Sequence, residues 1–202
     1  MSVDFESSTR STILDAAVSV FLAVGYEAAS TETIAGAADV ARRTLFNQFG
    51  SKELLFRAAV ERLWNRLAVG AVAQEESMAV DPEVGLARMA RAIADFWDQS
   101  EVAPLVRLVI AEGERFPFLR EAFSRQGRLP ALAALTSYLQ RLDQDGHLRI
   151  ADPELAASQF VALIKDVLWW PVLLSEMAPP DPARRAAAVD GAVSLFVRGY
   201  AP

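Results

Sequence analysis

Apolar residues recur along this chain at steps of three and four, with no convincing two-residue alternation, so the pattern predicts an all-α protein. Between Thr9 and Val24, the residues Ile13, Ala17, Phe21 and Val24 share one helical face, and Gly25 sits where a helix can close. The eight residues before it are expected to be loose. A short helix follows, capped by Ser30, with Ile34 and Ala38 turned inward; it breaks over residues 37–40, where Asp39 takes a turn position. A third helix starts near Arg42. Leu45 and Phe49 fall on its buried side, and Arg42, Arg43, Phe46 and Asn47 share the outward side. Gly50 stops it, and Ser51 caps a longer helix that carries Leu55, Ala59, Leu63 and Leu67 and runs to about Val72.

A polar gap near Gln74–Asp81 separates this head from a body that reads as helical throughout. Pro82 opens a helix to about Asp98, and another runs from Val102 to Arg115, with Pro104 as a place to bend. Phe116-Pro117-Phe118 breaks the line, a short helix leads to Gly127, and Leu129–Leu142 ends in the turn at 143–146. Asp152-Pro153 caps a long helix expected to reach about Ala178. Pro179-Pro180-Asp181-Pro182 then hinges into a last helix, about Ala183–Arg198. About nine to ten helices are expected, divided into a three-helix head at 1–55 and a body at 56–202.

The segment 30–53 is thus a helix-turn-helix, whose second helix can lie in a DNA major groove. Charge supports this. Arg42 and Arg43 begin one helix and Lys52 the next, and each cation there opposes the positive end of a helix dipole, at roughly 0.3–1 kcal/mol. Such placement makes sense where an anion binds, and phosphates bind at helix N-termini. Net charge is −6, yet residues 40–66 hold six Lys/Arg against two Asp/Glu, while residues 67–202 hold thirteen against eighteen. The basic surface is local, and an acidic body would repel DNA elsewhere.

The stretch ILDAAVSVFLAVGYEAASTETIAGAADVARRTLFNQFGSKELLF resembles the DNA-binding domain of TetR-type transcriptional regulators, through its IA, TLF-x-x-F and SKE elements at this spacing. Downstream, RLVIAEGERFPFLREAF and RLDQDGHLRIADPELAASQFVALI resemble the regulatory domain of the AefR-like branch. The resemblance implies that Thr31 and Lys52 touch phosphates, that Arg42 and Arg43 reach base edges, and that Thr44 and Phe46 pack near the DNA backbone. Ser30, Asn47 and Gln48 complete the candidate DNA-binding set. Four positions, in three departures, differ from the family pattern. Asp39 replaces the turn glycine, Ala41 the capping serine, and Phe46 and Gln48 the usual Tyr and His; Phe46 is left with apolar contact only.

No enzyme is expected. The chain has no cysteine and one histidine, His147, in a polar turn, which leaves neither a zinc ligand set nor a nucleophile–base pair. No cofactor or metal is implied. The aromatic residues of the body suit core packing or an apolar ligand cavity with a few polar anchors. Candidate ligand residues are Phe96, Trp97, Val109, Glu112, Phe116, Phe123, Trp169 and Trp170, with Arg107 and Lys165 as further anchors. The apolar stripe Ala186, Val189, Val193, Phe196 and Val197 is expected to be left over for a homodimer formed by the last two long helices. The most apolar run, Phe160–Leu174, is short of a membrane span and carries Lys165, Asp166 and Pro171. With no leader pattern and no disulfide chemistry, a cytoplasmic protein is expected. The pattern therefore reads as a ligand-responsive DNA-binding regulator, a repressor that releases a near-palindromic operator when a small apolar or amphipathic effector binds. The alternative is a helical protein-interaction adaptor, which leaves the N-terminal arginines unexplained.

Overall fold

The first helix, α1, spans Ser2–Ala28 and changes direction at Gly25, whose φ of 82° and ψ of 170° lie in a region open to glycine and strained for other residues. The structure, a computed structural model, describes residues 2–65 and 81–202, with side chains from residue 8 onward. The helix thus extends back to Ser2 through residues expected to be loose. Its 8–28 portion is long and apolar enough to cross a membrane by length and composition. Its Ile13, Leu14, Ala17 and Phe21, however, are buried in the protein's own core.

Three helices follow: α2 (Thr31–Ala37), α3 (Arg42–Phe49) and α4 (Lys52–Trp64). The Ser51 hydroxyl caps α4 by accepting the Leu54 N–H at 3.1 Å. The expected continuation of this helix to Val72 lies outside the described residues, as does most of the polar gap after it. The chain is all-α, as the periodicity predicts: α5 (Pro82–Trp97), α6 (Val102–Glu112), α7 (Pro117–Phe123), a π-helical turn at Ser124–Arg128, α8 (Leu129–Gln144), α9 (Pro153–Leu168), the short α10 (Trp170–Leu173) and α11 (Pro182–Gly199). Asp81, Asp152 and Asp181 cap α5, α9 and α11, each followed by a first-turn proline.

By compactness the chain forms two units. One holds residues 1–65 with 104–127, the other 66–103 with 128–202. In the first, α1 packs on α2 and α4, and α4 also packs on α7. Phe21, Tyr26 and Phe56 form an aromatic centre with Phe116 and Phe118; Tyr26 lies 5.1 Å from Phe116 and 4.9 Å from Phe118 between ring centroids. Gly127 is glycine for a steric reason: a Cβ there would lie 2.0 Å from the Trp64 indole. In the second unit, α9 packs on α5, α8 and α11 around Met89, Tyr138, Phe160 and Phe196.

Two expectations change. The helix opened by Asp152 ends at Leu168 instead of about Ala178, because Pro171 has no N–H to give and restricts the residue before it. The α11 stripe is not left over. Val189, Val193 and Phe196 are buried in the chain's own core, with Phe196 5.0 Å from Phe160, and Val197 packs against the same cluster. Of the stripe only Ala186 stays exposed; the other apolar positions left open include Leu155 and Val167 on α9, Trp170 at the start of α10, and Ala187, Gly191 and Leu195 along α11.

Tyr138 generates a pH test. Burial pushes its phenol up to about 12, against the pull of Arg141 and with a further push from Asp81. The folded pKa lies above the ordinary value of 10, so the stability held by this group is complete below about pH 10 and is lost as pH rises from there toward 12. The thermal midpoint should fall across that window. Tyr138→Phe should flatten the fall, and a wild-type midpoint that stays level from pH 10 to 12 would contradict the burial.

Candidate nucleic-acid interface

The interface is built outward from α2. Ser30 is extended, and its hydroxyl accepts the Thr33 N–H at 3.0 Å, which fixes where α2 begins. Ile34 and Ala35 are buried. The helix closes with Ala38 N–H on Ile34 O and Val40 N–H on Ala35 O, both at 3.0 Å, and these bonds hold Asp39 at φ 53°. A non-glycine residue in that region costs roughly 1–2 kcal/mol, though Asp tolerates it better than most. Ala41 then caps α3 in extended conformation with no side chain to accept a hydrogen bond, so the first N–H groups of α3 have no side-chain acceptor there, and Thr44 N–H bonds the Ala41 carbonyl at 2.9 Å.

In α3, Leu45 and Phe49 are buried, and Arg42, Arg43, Phe46 and Asn47 are exposed, as the spacing predicts. The two arginines differ. Arg42 pairs with Glu32 of α2 at 2.7 Å, both side chains more than half exposed. The Glu32 carboxyl is held below its ordinary range, first by its own backbone N–H at the start of α2 and then by Arg42, outweighing a burial effect in the opposite direction. Arg43 has no partner among the described residues. Phe46 is 52% exposed. Thr31 and Thr44 are half-buried; the Thr31 hydroxyl donates to Glu32 at 3.2 Å. Gln48 turns inward: its side-chain oxygen is buried without a partner, and its backbone carbonyl accepts from Arg10 at 3.2 Å.

Lys52 has a role the sequence did not reveal. Its ammonium donates to the carbonyls of Tyr26, Glu27 and Ala29 at 2.8, 3.2 and 2.8 Å, and it lies 4.3 Å above the centre of the Tyr26 ring. All three protons are engaged within the protein, in place of the phosphate expected for it. The unfavourable position of this cation at the start of α4 is thus offset by carbonyls at the end of α1. Burial pushes its pKa down, while Glu112 and Glu27 pull it back up.

The eight candidate ligand residues divide between the two units. Phe96, Trp97, Trp169 and Trp170 form a run in the second, with successive ring centroids 5.3, 4.3 and 6.1 Å apart. Trp169 is buried with its indole N–H unpartnered, Lys165 lies 5.9 Å from its ring, and Trp170 is 43% exposed. In the first unit, Val109 is buried on α6, Phe116 packs on Tyr26, and Phe123 lies 5.1 Å from Trp64. Glu112 is not an anchor open to a ligand: its two carboxylate oxygens accept the backbone N–H groups of Tyr26 and Glu27 at 3.0 and 2.8 Å. Sequence gave no sign of this contact, which joins residues more than eighty positions apart. The first unit also holds a small apolar recess between Val18, Phe21, Leu22, Phe56, Leu63 and Leu105.

Residues 13–59 match the bacterial regulatory proteins of the tetR family, and residues 84–202 match the C-terminal domain of AefR-like transcriptional repressors. Among solved structures, a TetR-family transcriptional regulator from Mesorhizobium loti MAFF303099 is 27% identical over 98% of each chain, with a TM-score of 0.86. One from Pseudomonas syringae pv. tomato str. DC3000 is 27% identical over 95% of this chain and 96% of its own, with a TM-score of 0.76. The flavonoid-responsive regulator FrrA is 26% identical over 97% and 98%, with a TM-score of 0.77. No curated protein matches the sequence.

Two substitutions test the local geometry by thermal melting. Ala41→Ser should restore the missing cap and stabilise the protein by about 0.5–2 kcal/mol. Lys52→Met, which leaves three carbonyls without their donor, should lower the midpoint. A Lys52→Met protein as stable as wild type would contradict the structural role.

Proposed function

The chain belongs to the TetR family of bacterial transcriptional regulators, and from that membership we propose the way this ligand-responsive DNA-binding regulator works. It acts as a cytoplasmic repressor: the head, residues 1–55, docks α3 into the major groove, and residues 56–202 bind the effector and the second subunit. The observation that carries this reading is the outward face of α3, where Arg43 stands exposed and free among the described residues beside Phe46 and Asn47.

Arg43 reads a base edge, for which a bidentate guanidinium–guanine contact is the commonest specific pairing. Arg42 is divided between DNA and Glu32, so Glu32 moderates how strongly the head binds any sequence. Thr31 and Thr44 contact the DNA backbone, Phe46 contributes apolar contact, and Asn47 lies beside them. Ser30 and Gln48 act from within, through the α2 cap and the underside of α3. An interaction adaptor has no use for this arrangement and is not favoured.

For the effector, the Phe96, Trp97 and Trp169 rings favour a flat aromatic molecule, and the unpartnered Trp169 N–H favours one with a hydrogen-bond acceptor. FrrA, described as flavonoid-responsive, supports the same class. The dimer forms through α9 and α11 by the faces left exposed, with Leu155 and Val167 on α9, Trp170 at the start of α10, and Ala187, Gly191 and Leu195 on α11. A two-fold pair presents two α3 helices to successive major grooves, about 34–36 Å apart or a multiple of it, so the operator is near-palindromic.

Selection from random duplexes, followed by gel shift at several salt concentrations, tests this reading. A near-palindrome should emerge. Arg43→Ala should cost roughly 1–3 kcal/mol and relax preference at one base pair, and Glu32→Gln should steepen the salt dependence by releasing Arg42. A simple flavone should weaken binding in wild type and not in Trp169→Ala. If no duplex is enriched, or Arg43→Ala binds as wild type does, α3 is not the reading helix.

A further inference from the structure

Apart from the buried Leu45 and Phe49, α3 has little in its own sequence that holds a helix. An isolated helix this short is marginal in water and takes its order from its surroundings. Its N-cap is Ala41, which has no hydroxyl, and its first turn holds two cations and no carboxylate. Its last turn holds no basic residue, although cations there stabilise a helix by bonding its last carbonyls. Two of those carbonyls are closed by the following chain: Gly50 N–H bonds Phe46 at 2.8 Å, and Ser51 N–H bonds Phe49 at 2.9 Å. A third, that of Gln48, is met from another helix.

Arg10 of α1 donates to the Gln48 carbonyl at 3.2 Å, and its guanidinium carbon lies 4.3 Å from the centre of the Phe49 ring. Arginine suits both tasks, since its flat fork lies well against an aromatic ring and still has N–H groups to donate. The two contacts fall on successive residues, one on the main chain and one on a side chain. A grip of that kind fixes the roll of α3 about its own axis, which a single hydrogen bond leaves loose. Arg10 is itself on firm ground. Its neighbour Ser11 offers its carbonyl and hydroxyl to Arg62, in the last turn of α4, both at 2.9 Å, and Arg62 also pairs with Asp15 at 2.7 Å. This part of α1 is thus fixed against α4, and all of these residues lie in one compact unit.

We propose that Arg10 is a positioning residue for DNA recognition: it caps the C-terminal end of α3 from another helix and sets the roll at which α3 presents Arg43 to the bases. The proposal rests on the reading of α3 as the DNA reader. A bidentate contact to a base edge is directional, so an α3 free to roll loses sequence discrimination before it loses general affinity. An exposed arginine near DNA has a simpler use, as a phosphate contact, and salt dependence separates the two. A phosphate contact adds about 0.9 to the log–log slope, whereas a cap engaged with the protein in both states adds little.

Gel shift over a salt series tests this with the full-length protein and two duplexes. One is the duplex selected above, and the other is the same duplex changed in each half-site at the base pair where Arg43→Ala loses its preference. Arg10→Met should weaken the selected duplex about tenfold, the scale of one charge-assisted hydrogen bond. It should weaken the changed duplex much less, so that discrimination between the two falls, and the salt slope should stay at its wild-type value. Arg10→Lys, which keeps the charge and a donor and lacks the flat fork, serves if Arg10→Met does not fold, and should narrow the discrimination by a smaller factor. A slope that drops by about one with discrimination intact makes Arg10 a phosphate contact and overturns the proposal. A lower melting midpoint with both affinities unchanged makes it structural only, and overturns it too. If no duplex is enriched, or Arg43→Ala alters no preference, the reading of α3 falls together with this proposal. An enriched duplex read by Arg43, which Arg10→Met binds and discriminates as wild type does, overturns this proposal alone.

Discussion

The structure depends on the commitment of one face of α3 to the interior. This helix has eight residues and buries two, Leu45 and Phe49. At 3.6 residues per turn these two lie one turn apart, so Arg42, Arg43, Phe46 and Asn47 have nowhere to go but outward. Everything next to α3 maintains that orientation. Ile34 and Ala35 fix α2 beneath it, Asp39 accepts a left-handed turn, and Gly50 at φ 74° releases the chain into α4. A protein with an overall charge of −6 can then place cations on one small surface and keep acidic residues elsewhere.

Much of this was legible in the sequence because it is local. Helix period, the caps at Ser30, Ser51 and Asp152, and the stop at Gly50 each involve residues within a turn of one another, and they appear where the pattern places them; at Gly25 the first helix kinks and runs on to Ala28. What was not legible involves choices between distant partners. Nothing near Lys52 in the chain shows that its ammonium meets carbonyls more than twenty residues upstream, and nothing near Glu112 points to Tyr26 and Glu27. The α11 stripe failed for a related reason. An apolar stripe shows that a helix face is covered, not what covers it, and here the cover is the chain's own Phe160 and its neighbours. The end of α9 at Leu168 was within reach, since Pro171 disfavours helix before it.

The departures from the family pattern also have a physical reading. Ala41 leaves the first N–H groups of α3 without a side-chain acceptor, and Asp39 occupies a backbone region that glycine enters freely. Both weaken the isolated head. The five hydrogen bonds gathered on Gly25–Ala29 act in the opposite direction, holding the entrance to α2 through contacts with α4 and α6.

The central claim is that the exposed face of α3 meets the bases. Replacing Phe46 with a benzophenone analogue of phenylalanine and irradiating the protein on its selected duplex tests it most directly, since this side chain is exposed on that face. The account predicts crosslinks to bases within each half-site from position 46, and none from the same analogue at the exposed Leu195 of α11. Equal labelling from both positions, or labelling from Leu195 alone, would contradict it.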